Sequence, residues 1–113
     1  MWFGLNKDVE LLGHILEELD FIAKYCAVVG IETLMADEVL RRACVKSLEI
    51  IGEASRNISD DLKKAHPEIP WRLMIGMRNK LVHHYFGVDW EIIDDAIKNE
   101  LPDIKLKLTK ILI

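Results

Sequence analysis

The chain has 113 residues, half of them apolar and 30% charged, with a formal net charge of −4. That length fits one domain with a modest core, so residues 1–113 are read as a single unit. The acidic balance argues against a general nucleic-acid coat protein, and no apolar run nears the roughly 20 residues that span a bilayer.

Met1-Trp2-Phe3-Gly4 has no basic stretch and no long apolar segment. No secretory signal is therefore expected, and the protein is read as cytoplasmic. Cys26 and Cys44 stand singly within helical patterns and are expected to be reduced core thiols. The apolar excess of so small a domain suggests that part of its surface is covered by a partner subunit.

The spacing predicts a first helix from about Lys7 to Val29. Leu5, Val9, Leu12, Leu16, Leu19, Ala23 and Cys26 recur at steps of four and three, the seam of a bundle helix. Asn6 or Asp8 can cap it and Gly30 can end it. Gly30 to Ala36 reads as a short connection. Asp37 and Glu38 then place acids in the first turn of a second helix, where its dipole favours them. The stripe of that helix is Leu40, Cys44, Leu48, Ile51, Ile58 and Leu62, interrupted by Ser55. Gly52 costs helix stability and permits close backbone approach, so Gly52-Glu53-Ala54 marks tight helix packing. The cluster from Asn57 to Asp61 predicts a kink or break.

His66-Pro67-Glu68-Ile69-Pro70 is a boundary: two prolines stop one helix, and Pro70 suits the start of the next. His66 reads as an exposed residue near a helix end. A fourth helix begins near Asp89, with Trp90, Ile93, Ile97, Leu101, Ile104, Leu108 and Ile111 on one stripe. Pro102 falls inside that stripe and predicts a kink or two abutting helices. The expected fold class is all-α, an antiparallel four-helix bundle with a kinked or split C-terminal helix.

Chemistry concentrates in the third helix. Arg78, Asn79, His83, His84 and Tyr85 lie within eight residues, and no acid occurs from Ile69 to Val88. On a helical wheel, Trp71, Met74, Ile75, Leu81, Val82, Tyr85 and Phe86 share an arc with Arg78 near its middle. A cation there needs a partner such as Glu53, an escape to solvent, or a role in binding an anion. A second, polar row holds Arg72, Gly76, Asn79 and His83. Arg78 and His83 are five apart and diverge by roughly 140° on one straight helix, so they join at one cleft only if the helix bends at its end or a second copy contributes, as a two-fold dimer would. The residue types suit phosphodiester chemistry. His83 can move a proton near neutral pH, Arg78 can stabilise a transferring phosphoryl group, and Asn79 and Tyr85 can hydrogen-bond beside them. No carboxylate cluster in this segment could hold a catalytic magnesium, which favours a route without metal or cofactor. His83 and His84 point to different sides and do not form a metal pair.

Arg78-Asn79-Lys80-Leu81-Val82-His83-His84-Tyr85 matches the pattern R-N-x-x-x-H-x-Y. Together with Ile51-Gly52-Glu53-Ala54, Pro67-Glu68-Ile69-Pro70-Trp71-Arg72 and Tyr85-Phe86-Gly87-Val88-Asp89, it resembles the HEPN superfamily. The likeness is to the HepT-like toxins paired with minimal nucleotidyltransferases, and it covers most of the chain. This resemblance implies an all-α HEPN homodimer with metal-independent endoribonuclease activity, in a type VII-like toxin–antitoxin system. It makes Arg78 and His83 catalytic, Asn79 and Tyr85 supporting, and Tyr85 the acceptor of AMP from a nucleotidyltransferase antitoxin. A non-catalytic HEPN nucleotide-binding or transferase-docking module is the competing reading. A purely structural dimerisation bundle is a third, and it requires Arg78 to be neutralised internally and to face no cleft.

Overall fold

The computed structural model describes residues 2–112, with the side chains of residues 2–6 and of Tyr85 outside the description. Leu5 and Asn6, expected in the first seam and cap, therefore lie outside the described side chains. The elements are α1 (Trp2–Phe21), a π turn (Ile22–Cys26), α2 (Ile31–Ala36), α3 (Glu38–Asn57), α4 (Asp60–Ala65) and α5 (Trp71–His83). After a 3-10 turn (Tyr85–Gly87) come α6 (Trp90–Asp95), a second π turn (Ala96–Glu100) and α7 (Leu101–Leu112). There is no strand among the described residues, and the helical bundle expected from the periodicity is what forms.

Helix α3 is the centre of the bundle, packed on α1 along one side and on α5 along another. Cross-links fix the directions. Ser59, just past α3, bonds Asp8 near the start of α1, and Ser47 Oγ donates to the Glu18 carbonyl at 3.2 Å. On the other side Ser55 Oγ meets Met74 Sδ at 3.5 Å, while Gly52 faces Arg78. Both pairs are antiparallel. Helix α7 lies against α1, where Lys105 Nζ reaches Asp20 at 2.6 Å.

The seam of α1 differs from the one expected. Leu12, Ile15, Leu19, Ile22 and Cys26 are buried, whereas Val9 is half exposed and Ala23 faces solvent. The buried stripe thus follows steps of three and four from Asp8, which is only 5% exposed. Asp8 does not cap its own helix, which already begins at Trp2. Its carboxylate accepts from the Ser59 backbone N–H at 2.9 Å and from Ser59 Oγ at 2.5 Å. Ser59 in turn caps α4 by accepting from Leu62 N–H at 3.2 Å. A buried charge is tolerable only with such partners, and charge-assisted bonds contribute about 1.5–3 kcal/mol each. The break expected between Asn57 and Asp61 is the site of this tether.

One further departure and one expected break each have a local cause. Ile31–Ala36, expected as a connection, is a six-residue helix whose Leu34 is fully buried; one turn and a half is too short to show a period. Asp37 then caps α3, accepting from Leu40 N–H at 3.0 Å. The break in the C-terminal helix precedes Pro102. Proline lacks an N–H and its ring clashes with the carbonyl four residues back. The chain widens into the π turn, where the Leu101 N–H reaches back five residues to the Ala96 carbonyl, and Pro102 falls in the first turn of α7. Ile93, Ile97, Leu101, Ile104 and Leu108 remain buried throughout, as the stripe predicts.

Cys26 and Cys44 are both fully buried and free, as expected of core thiols. Their mutual hydrogen bond and burial push the Cys44 thiol well above its ordinary range, which keeps it protonated and unreactive.

Candidate functional site

Helix α5 is launched by the proline boundary. The Pro70 carbonyl accepts from Leu73 N–H at 3.1 Å and Met74 N–H at 3.4 Å. Trp71 is buried and its Nε1–H donates to the His66 carbonyl at 3.1 Å, anchoring the first turn. His66 is thus partly buried, not simply exposed, and its Nδ1 lies 3.3 Å from Glu68.

The buried stripe of α5 is Trp71, Met74, Met77 and Leu81. It is narrower than the predicted arc and rotated away from Arg78, because α5 packs chiefly on α3 at the edge of the bundle. Val82 is 44% exposed and Phe86 fully exposed, so the outer half of the apolar arc is uncovered. Gly52 sets the closeness of the crossing. A Cβ placed there would stand 2.1 Å from Arg78 Cβ and 2.7 Å from the Met74 carbonyl oxygen.

Arg78 leaves this crossing with a side chain 21% exposed. Its Nε lies 3.3 Å from Glu53 Oε2, and its Nη1 donates to Asn79 Oδ1 at 3.0 Å. The guanidinium is therefore oriented from two sides. It also lines a groove of about 440 Å³ whose walls come from Leu11, Ile50, Ala54 and Val82. Arg78 is paired with an acid and faces a cleft at once, so the condition for a purely structural bundle is only half met. His14 of α1 and Lys46 of α3 also line the groove, beside Glu49 and Glu53. Sequence reasoning gave neither a role. The available signal was the row Lys46, Glu49, Ile50 and Glu53, which shares one face of α3.

His83 ends α5 and is exposed, as are Asn79 and Arg72 of the polar row. His84 follows as the C-cap, its N–H bonded to the Lys80 carbonyl at 2.8 Å, and its own carbonyl accepts from Gly87 N–H at 2.9 Å. Tyr85 starts the 3-10 turn, and its side chain lies outside the described residues. Arg78 and His83 are not brought together within one chain: α5 is helical through His83, and the groove beside Arg78 does not include that histidine. Arg72, Lys80, His83 and His84 make no ion pair among the described residues. The stretch predicted to meet an anion keeps four basic side chains uncompensated. Among the described residues no group of three or more His, Cys, Asp or Glu could hold a metal ion. No described helix is long and apolar enough to cross a membrane.

Comparison with known proteins resolves which family carries this arrangement. The profile described as ribonuclease HepT-like matches residues 15–111. The chain belongs to the ribonuclease HepT-like family. Among HepT-like relatives, a protein of Caldanaerobacter subterraneus subsp. tengcongensis named as a candidate RNase is 42% identical over 89% of this chain and 90% of its own length. One from Thermococcus cleftensis, named probable ribonuclease HepT, is 41% identical over 90% of this chain and 93% of its own. A candidate RNase of Methanocaldococcus jannaschii is 40% identical over 88% and 84%. No solved structure matches the chain significantly. The HEPN resemblance drawn from R-N-x-x-x-H-x-Y is thereby established at the level of family.

Proposed function

We propose that residues 1–113 act as one HEPN domain and cleave RNA as a metal-independent endoribonuclease. The observation that carries this reading is the arrangement of α5. It fixes Arg78 in a groove and presents His83, uncompensated, on another side of the same helix, in a family whose relatives are named as RNases. His83 takes the proton of a ribose 2′-hydroxyl, and that oxygen attacks the adjacent phosphorus. The bond from phosphorus to the 5′-oxygen breaks, the leaving oxygen gains a proton from an imidazolium, and a 2′,3′-cyclic phosphate remains. Arg78 stabilises the charge on the five-coordinate phosphorus. The divergence of Arg78 and His83 supports a homodimer, in which one chain's arginine works with its partner's histidine across a two-fold axis. Uncovered Val82 and Phe86 supply apolar surface for that contact.

By family, this reading extends to a cytoplasmic toxin of a type VII-like toxin–antitoxin pair. A minimal nucleotidyltransferase would be its antitoxin, silencing it by AMPylation of Tyr85. The position of Tyr85, two residues after His83, supports this, since an added adenylyl group would crowd the same turn.

The test is cleavage of total RNA by the purified protein, with and without EDTA, beside His83→Ala. Cleavage should persist in EDTA, yield cyclic-phosphate ends, and fall at least about 100-fold in the variant. Equal activity in His83→Ala removes the proposal. The competing reading is a non-catalytic nucleotide-binding or transferase-docking module. That reading requires a stable complex and no cleavage from a concentrated dimer.

A further inference from the structure

A second cavity, of about 270 Å³, opens one residue from His83 on the side away from the Arg78 groove. Lys80 of α5 and His84, the C-cap one turn further on, form one edge of it. Val88, Ile92 and Ile93 form its apolar walls, and Asp89 lines it together with Lys80 and His84. Ile93 is buried and makes a firm floor, while Ile92 is 59% exposed at the mouth. Neither Lys80 nor His84 is held by an acid among the described residues, although Asp89 lines the same cavity. The Asp89 carboxylate uses Oδ1 to accept from the Glu91 N–H at 3.0 Å. A carboxylate has about four lone-pair sites, so capacity remains for further donors. The volume of about 270 Å³ lies just below the range of about 300–1,000 Å³ for whole-ligand pockets, which suits one flat base rather than a whole nucleotide.

We propose that this cavity is a nucleobase subsite of the RNA-cleaving centre, holding the base of a nucleotide next to the scissile phosphate. This rests on the ribonuclease reading and adds to it the feature of RNA that is read. The chemistry of each wall assigns its part. Val88, Ile92 and Ile93 receive the base faces. Lys80 and His84 hold the phosphate of that nucleotide, and Asp89 accepts hydrogen bonds from the base edge. Single-stranded RNA is recognised in this way, by splayed bases buried against side chains and read on their Watson–Crick edges. Guanine presents an imino and an amino N–H side by side and matches a carboxylate best. Uracil presents one N–H between two carbonyl oxygens and matches worst.

The experiment has two arms on the full-length protein. Guanosine, adenosine, cytidine and uridine 5′-monophosphates are titrated while the backbone NMR signals of Lys80, His84, Val88 and Ile92 are followed. Cleavage sites on an RNA of randomised sequence are then sequenced for the wild type, Asp89→Asn and Ile92→Trp. The guanine nucleotide should shift those signals and bind about tenfold tighter than the uracil one. Asn caps a helix as well as Asp, so Asp89→Asn should unfold at the wild-type temperature yet lose the guanine preference in both arms. Ile92→Trp fills the mouth and should abolish base preference and lower cleavage of every sequence alike. A wild-type base profile in both variants, or no shift with any nucleotide, overturns the subsite and leaves the ribonuclease reading intact. A wild type that binds the guanine nucleotide here but cleaves no RNA overturns the ribonuclease reading, and the cavity's role in cleavage with it.

Discussion

Chains carrying Arg78→Ala and chains carrying His83→Ala, each nearly inactive alone, should recover RNA cleavage when unfolded together and refolded. The expectation follows from α5. A helix that is regular through His83 points two residues five apart in directions that differ by roughly 140°, which places them poorly for one phosphate in a single copy. On the proposed reading, the working pair of a two-fold dimer would be one chain's arginine with the partner's histidine. A mixed dimer then keeps one intact pair and loses the other. Random pairing makes half the dimers mixed, so activity should return to about a quarter of the wild type. Each homodimer alone should be reduced about 100- to 1,000-fold, the usual range for removing a proton carrier or a charge-stabilising donor. The assay is initial cleavage rate of one defined RNA. Mixtures no more active than their parents would mean that the pair acts within one chain, or that the centre lies elsewhere.

Replacing Gly52 by alanine should cost about 3 kcal/mol of folding stability. Helix propensity alone argues the other way, since alanine in a helix interior gains about 1 kcal/mol over glycine. Contact distance decides the sign. The new methyl carbon would meet Arg78 Cβ at 2.1 Å and a backbone carbonyl at 2.7 Å, and neither is the movable end of a side chain. Helices α3 and α5 would have to separate. Arg78 would then lose its register with Glu53, so cleavage should fall together with the urea midpoint. Gly76→Ala is the matched control, because nothing lies within 4 Å of its added carbon. It should be neutral or gain up to about 1 kcal/mol. A Gly52→Ala protein as stable as the wild type would show that the crossing relaxes freely.

The long helices were legible because their apolar stripes extend over several turns. Cys44, Leu48 and Ile51 are fully buried, and so are Ile97, Ile104 and Leu108, as their spacing requires. The proline boundary before α5 was equally clear. What escaped depends on contacts distant in sequence. Asp8 looks like a cap until Ser59, 51 residues away, is placed beside it. Helix α2 is too short to declare a period. Within the site, the family motif marked Arg78, Asn79, His83 and Tyr85, and residue chemistry alone named Glu53 as a partner for Arg78. The wheel placed Arg78 in mid-arc because it counted Val82 and Phe86, which are exposed, and left out Met77, which is buried. In the structure α3 covers only part of that arc, and Arg78 stands at its margin. The cavity by Lys80 and Asp89 had no sequence signal, since a turn and a second helix build it.

The acid-free face of α5 also determines how this protein would compete with salt for RNA. Each phosphate neutralised on a single strand releases condensed counterions, giving a slope of about −0.7 per contact in log affinity against log salt. Arg72, Arg78 and Lys80 are the fixed cations between Ile69 and Val88, on a chain that is net acidic. A protomer should therefore show a slope of roughly −2, measurable with an RNA made uncleavable by a 2′-deoxy residue. So shallow a dependence means weak long-range attraction to nucleic acid at large. Such a protein would pass over bulk duplex and coated RNA, and engage unpaired strands only where its few cations and its cavity act together.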